Sequence, residues 1–423
     1  MAAGADLVDG VVRFARRVHA PAAGSHHVAS PLGAWLLVAL GAPAMAGSER
    51  DAASEALGME PDDAAREAAA LLAEAPPAIH AAVAVWWRAE RATAALDSWV
   101  SGLPAQVETG DMPAQAQADE WADRHTDHLI GSMPLRLTED STLVLASAVA
   151  TRVSWRSPHD TAPSYRLGKD SPWSGQVERV LHAESGAFIV RTSAAGLVGV
   201  LAKEAGGLTV VSVIAAREVD SLLVLDVAHR LAVEAVNGEL QAASLFDLPL
   251  GEGEAWTINE KEVETDAPHG REELVTAVLP AWSARSTHDL SAPAGAFDGF
   301  ADGLRVLLRP SPRGYGGVAA QSAMAEYTRE GFAAAAVTAW ATFEGAAMFP
   351  RLPRGLLRSA TVRFGRPHAV VAVATLSKDT NAPALDAWHG LPVFSAWVCQ
   401  PDEVPPEPHG GIDSFDVDYL FEP

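Results

Sequence analysis

Residues 141–155, STLVLASAVATRVSW, limit the possible folds more than any other stretch of this chain. They are rich in β-branched side chains and evenly apolar on both alternating faces, so neither face suits water. Such a strand belongs in the middle of a sheet. Residues 208–216 (LTVVSVIAA), 369–375 (AVVAVAT) and 391–398 (LPVFSAWV) read as similar buried strands. Ahead of these strands the apolar pattern is helical. Leu7, Val11, Val12, Phe14, Ala15 and Val18 form one face of an N-terminal amphipathic helix. Residues 30–44 read as a buried helix with Ser30 as N-cap and Pro31 at its first position. A third helix is expected from a cap at Ser48 to a stop at Gly58, and a fourth, polar with a thin apolar seam, over residues 118–130. Residues 221–238 form a helix closed by glycine. Early helices followed by many buried strands predict one α+β domain.

Composition removes several function classes. The 423 residues carry 31 basic against 54 acidic side chains, a net charge of -23 that opposes a nucleic-acid partner. Lys169, Lys203, Lys261 and Lys378 are the only lysines, a bias that fits a GC-rich bacterial genome. No apolar run is long enough to cross a bilayer. The first residues lack the basic start and apolar core of a secretion signal, which predicts a cytoplasmic protein unless another route exports it. Cys399 is the only cysteine, so no internal disulfide and no cysteine-based metal cluster can form. His125 and His128 stand three apart on the expected fourth helix, but without a third ligand they read as solvated histidines and not as a metal site. Nucleophile-elbow, phosphate-loop and dinucleotide fingerprints do not occur, which argues against an enzyme and against a cofactor.

Residues 331–340, GFAAAAVTAW, are unusually small, and the following ATFEGAAMFPRLPRGLLRS has no period. Alone, the first piece reads as a helix turn or an alanine-rich linker. Its neighbours change that reading. SPLGAWLLVALGAPA with SEALGM, then DEWADRHTDHLI, then SAVATRVSW, then QSAMAEYTREGFAAAAVT, and last VRFGRPHAVVAVA with LPVFSAWV occur in order across residues 30–398. This ordered set resembles the serpin family. The resemblance implies a serpin-like domain over residues 1–400. It would hold a large central mixed or antiparallel sheet, two smaller sheets, eight or nine helices and an exposed reactive-centre loop at about residues 329–360. Residues 141–155 and 315–328 would be neighbouring strands of the main sheet, with Trp155 near the start of the loop. Residues 401–423 would form an acidic, proline-rich tail.

The implied function is inhibition of a serine protease, or of a cysteine protease, by a monomeric suicide substrate. The bait loop is cut, and its hinge then enters the main sheet as a new strand. The hinge would comprise Arg329, Glu330, Gly331, Phe332, Ala333, Ala334, Ala335, Ala336, Val337 and Thr338. Small side chains suit a segment that is loop first and central strand later. Strand alternation turns Phe332, Ala334, Ala336, Thr338 and Trp340 one way and the intervening residues the other. Family spacing places the scissile bond at Gly345–Ala346, with Arg351 and Arg354 as basic alternatives. Ser30, Ser147, Trp155 and Gln321 match the shutter and breach of the sheet, Ser147 and Gln321 standing where the family has Asn and His and still able to bond across the strands. Arg329 and Ala281 replace the acid and the lysine of the family's hinge salt bridge together, so no unpaired charge results. Phe332 stands where the family has a small hydroxyl residue. Its ring is expected to overpack the sheet as insertion starts, at about 1–3 kcal/mol, so that Phe332→Thr improves trapping. That departure supports the alternative of a non-inhibitory binding protein or plain protease substrate, with a hydrolase the weaker third reading.

Overall fold

A computed structural model describes residues 2–133, 135–289, 299–309, 320–332, 353–375 and 387–405. Eight α-helices occur among them. Helix α1 (Ala2–His19) buries Leu7, Val11, Phe14 and Val18. Helix α2 (Pro31–Gly41) is buried along its whole length, as its apolar sequence demands. The Ser30 hydroxyl caps it by accepting from the Gly33 amide. Helix α3 (Gly47–Leu57) ends at Gly58, whose φ of +75° gives the left-handed cap that glycine allows. Its N-cap falls on Ala46 and not on Ser48, because Gly47 at φ +60° turns the chain into the helix one residue early. Helices α4 (Pro61–Ala73) and α5 (Ala94–Ser101) complete this layer.

Helix α6 (Gln115–His125) starts before the expected Ala118 and stops before the expected Ile130. Asp127 and His128 have positive φ, so His128 leaves the helix and shares no face with His125. His125 meets Glu108 at 2.7 Å and His128 meets Asp123 at 2.6 Å. Helix α7 (Ser221–Asn237) is capped by the Asp220 carboxylate and closed at Gly238, and α8 (Phe300–Gly303) is a single turn.

One antiparallel sheet runs in the order β1 (His27–Ala29), β19 (Pro392–Val398), β18 (His368–Ala374), β10 (Leu208–Ile214), β9 (Gly196–Ala205) and β8 (Ala187–Thr192). A second runs β11 (Gly251–Glu252), β12 (Trp256–Glu264), β17 (Arg354–Arg363), β13 (Arg271–Leu279), β7 (Arg179–Ala183) and β6 (Asp160–Pro163). The third is split. One part holds β3 (Val107–Asp111), β2 (Ile79–Trp87) and β4 (Leu143–Thr151); the other holds β14 (Trp282–Asp289), β15 (Ala320–Tyr327), β16 (Gly331–Phe332) and β5 (Val153–Ser154). Strand β5 continues β4 after Arg152, so the two parts belong to one surface.

The described part of residues 315–328 lies beside residues 141–155 on this surface, as expected for neighbouring strands, but no ladder joins β4 to β15 among the described residues. At the top β16 stands between β5 and β15. The other two sheets have six strands each, beside the seven strand segments of the split sheet. The tail also begins later than residue 401. The Asp402 amide donates to the Ala281 carbonyl at 2.7 Å, the Glu403 carboxylate accepts from the Glu178 amide, and Val404 is buried. Residues 406–423 lie outside the described residues.

Helix α2 packs on α1, α4, β4 and β19, which puts the main core between the split sheet and the first sheet. Where α1, β1 and β19 meet, histidines form a directed chain. The Ser25 carbonyl can only accept, so Nδ1–H of His27 donates to it at 2.9 Å. Nε2 of His27 then accepts from Nδ1–H of His19 at 2.7 Å, and Nε2 of His19 accepts from the Ser395 hydroxyl at 2.6 Å. Every imidazole in that order is neutral, and an added proton breaks it. Burial holds His27, His229 and His368 down to about 4, and His19 well below its ordinary value. The unfolded chain therefore binds more protons below pH 6.5, so stability is full above that pH and is lost down to about 4. Urea unfolding at pH 7 and pH 4.5 is expected to show the loss, at about 1.4 kcal/mol per unit for each histidine. His229→Leu flattens the acid limb by one such share; equal stability at the two pH values contradicts the account.

Candidate functional site

Gly331 and Phe332, the third and fourth residues of the expected hinge, already form a strand. Strand β15 ends at Tyr327, and a tight turn brings the chain back so that Phe332 pairs antiparallel with Tyr327. On the other side Gly331 pairs with Ser154 and Phe332 with Val153. Thr328 makes the turn: its amide donates to the Gly331 carbonyl at 2.9 Å, and its hydroxyl accepts from the Gly331 amide at 3.2 Å.

Trp155 fastens the turn from above. Its amide donates to the Glu330 carbonyl at 2.9 Å and its indole Nε1–H to the Thr328 carbonyl at 3.0 Å. Below lies an aromatic cluster, with Trp155 at 4.8 Å from Tyr327 and Trp282 at 6.3 Å from Tyr327 and 6.4 Å from Phe332, centroid to centroid. All four rings are buried. The Phe332 ring thus already occupies a preformed place, which overturns the expectation that it overpacks the sheet on insertion.

His159 completes the anchor. Its amide donates to the Arg329 carbonyl at 2.9 Å, and its carbonyl accepts from Arg329 Nε at 3.1 Å. Its Nε2 shares a 3.0 Å hydrogen bond with the Tyr327 hydroxyl. Burial, with the Lys203 charge adding to it, holds the imidazole down to about 3, and burial pushes the tyrosine hydroxyl up. The pair is therefore neutral over the working pH range. Sequence reasoning missed His159, because SPHD reads as loop and its role exists only through contacts with distant residues.

No family model matches the sequence, and no curated protein matches it. Solved structures match the whole architecture. The native structure of the thermophilic serpin Tengpin aligns with a TM-score of 0.63, covering 93% of each chain at 11% identity. Serpin48 of the insect Tenebrio molitor gives 0.59, covering 94% of this chain and 98% of its own at 15% identity. Thyroxine-binding globulin in complex with thyroxine gives 0.60, covering 94% and 99% at 13% identity. This chain has the serpin fold.

Within that serpin fold, the remaining expected site residues are placed as follows. Gln321 clasps the backbone of Ser30, accepting from its amide at 2.9 Å and donating to its carbonyl at 2.8 Å. The Ser30 hydroxyl donates to the Val393 carbonyl at 2.8 Å. Ser147 joins neither: its hydroxyl lies beside Gly33 and makes no hydrogen bond among the described residues. The expected bonding of Ser147 and Gln321 across the strands is thus absent, because β4 and β15 are unpaired at this level. Ala281 is buried and bridges Asp402, far from any charge pairing with Arg329. Arg354 opens β17 and pairs with Glu264, so it stands at the start of a strand, with its side chain exposed as expected. Ala333, Ala334, Ala335, Ala336, Val337, Thr338, Gly345, Ala346 and Arg351 lie outside the described residues.

Phe332 should hold the turn from Thr328 to Phe332 in place. Phe332→Ala is expected to cost at most about 3–5 kcal/mol, and less where the hinge opens locally instead of the whole chain. Hydrogen exchange reads this directly at the Trp155 amide, which Glu330 protects. Faster exchange there is expected, with β18 amides unchanged; an unaltered Trp155 amide contradicts the anchoring role.

Proposed function

We propose that this chain inhibits serine proteases as a suicide substrate. The protease's serine oxygen attacks the carbonyl carbon of the loop's scissile bond, the amine leaves as a new N-terminus, and an acyl-enzyme ester remains. Before water hydrolyses that ester, the cut hinge continues β16 down the gap between β4 and β15. The chain itself supplies no catalytic group.

The observation that carries this reading is the register of β16. Phe332 faces Val153 on one side and Tyr327 on the other. Each residue added to the strand moves one residue back along both neighbours. Ala334 then meets Thr151 and Ala325, Ala336 meets Val149 and Ala323, and Thr338 meets Ser147 and Gln321. Thr151, Val149, Ala325 and Ala323 are buried, so the incoming side chains on this face must be small. Thr338 brings a hydroxyl to the level where Ser147 has no partner. The same register sets residue 342 opposite Leu143, the first residue of β4, which supports a scissile bond beyond 342. Gly345–Ala346 meets that requirement, with Arg351 as the basic alternative.

Strand β17 supports the need for cleavage. It is held by nine register pairs to β12 and eight to β13. Insertion of residues 333–342 in an uncut chain would leave only residues 343–353, drawn nearly straight, to return to β17, whereas a cut chain leaves β17 in place. The second reading, a non-inhibitory binding protein, has the rigid anchoring of Phe332 on its side, and the matched thyroxine-binding globulin holds thyroxine.

The test incubates the full chain with trypsin-, chymotrypsin- and elastase-like serine proteases. At least one is expected to give an SDS-stable complex together with a released C-terminal fragment. Ala336→Arg, which would bury a guanidinium between Val149 and Ala323, is expected to abolish the complex while the loop is still cut. Cleavage by every protease with no complex sinks the inhibitory reading and favours the second.

A further inference from the structure

The edge of the second sheet nearest the hinge carries a cluster that the inhibitor reading leaves unused. Asp160 on β6 and His182 on β7 are direct partners in the ladder. Glu184 follows two positions after His182, and residues two apart on an extended chain share a face. One donor atom from each, a carboxylate oxygen, an imidazole nitrogen and a second carboxylate oxygen, all lie within 4.8 Å of one another.

Two further observations mark these groups as unsatisfied. Nε2 of His182 is buried and has no hydrogen-bond partner. Neither carboxylate makes a hydrogen bond or a salt bridge among the described residues. The cation that Asp160 does feel is Lys203 on β9, which is half-buried and offsets only one of two negative charges. Two carboxylates gathered around one imidazole repel each other unless a cation lies between them.

We propose that Asp160, His182 and Glu184 bind a zinc ion. Three protein ligands of mixed nitrogen and oxygen character, with a fourth position left to water, suit Zn²⁺. Ca²⁺ and Mg²⁺ call for oxygen ligands alone. Zinc bonds of about 2.0–2.2 Å require the donors to draw closer than they stand, and both carboxylates are exposed enough to swing inward. The site adjoins the hinge: Asp160 directly follows His159, whose backbone holds Arg329. An ion there ties β6 to β7 through side chains and stiffens the segment on which the hinge turn rests.

The experiment uses the full chain, stripped with chelator and titrated with ZnCl₂ in a calorimeter, with metal content measured after dialysis. One equivalent of zinc per chain is expected, with a thermal midpoint that rises with zinc concentration. His182→Asn and Glu184→Gln are each expected to lose at least about tenfold in affinity. Glu184 is exposed, so its variant keeps the fold even if that of His182 does not. His128→Ala, at the exposed histidine of another surface, should bind as the parent does. Absence of binding, or affinity unchanged in Glu184→Gln and His182→Asn, overturns the site. These readouts need no protease, so failure to inhibit would leave them intact.

Discussion

The inner edge of β4 faces the inner edge of β15 across a gap that, among the described residues, only Gly331 and Phe332 enter. Peptide groups on an unpaired edge form a template for another strand. Most of the architecture bears on keeping that template supplied with one particular strand. The Thr328 turn sets the register, the rings of Trp155, Tyr327 and Trp282 hold the first inserted side chain, and His159 holds the turn to the rim. A strand started in register has already met the costly part of ordering; each further residue adds backbone bonds on both sides.

The far end of the loop is fixed with equal firmness. Strand β12 covers the edge of β17 that would otherwise be open, while β13 pairs with its other edge in parallel. The 333–353 segment thus connects two fixed ends, one of which points into the gap and the other of which cannot follow it. In such an arrangement the proposed insertion would wait on a broken peptide bond. Alanine would suit the proposed insertion, because it adds no side-chain entropy cost and would add no bulk against the buried Val149 and Ala323.

Much of this was legible in the sequence wherever a local signal matched the tertiary outcome. Ser30 with Pro31 gave a cap and first turn, Gly58 and Gly238 gave helix ends, and the even apolarity of residues 141–155 gave a buried strand. Other features depend on partners far along the chain. Strand β12 is mostly polar and exposed, so it reads as loop until β17 pairs with it. Phe332 looked too large because the space among Trp155, Trp282 and Tyr327 comes from three separate segments. Arg354 looked like loop because its strand partner, Glu264, lies ninety residues away in sequence, although its side chain is exposed as expected.

The central claim is that cutting the loop releases a strand that completes the split sheet. The most direct measurement is the thermal unfolding midpoint of the intact chain beside that of the chain cut once between residues 342 and 353 and kept as a two-fragment complex. New pairing along β4 and β15 predicts a clearly higher midpoint for the cut form, although it has one covalent bond fewer. An equal or lower midpoint would contradict insertion, and with it the account of the gap as a place made for residues 333–342.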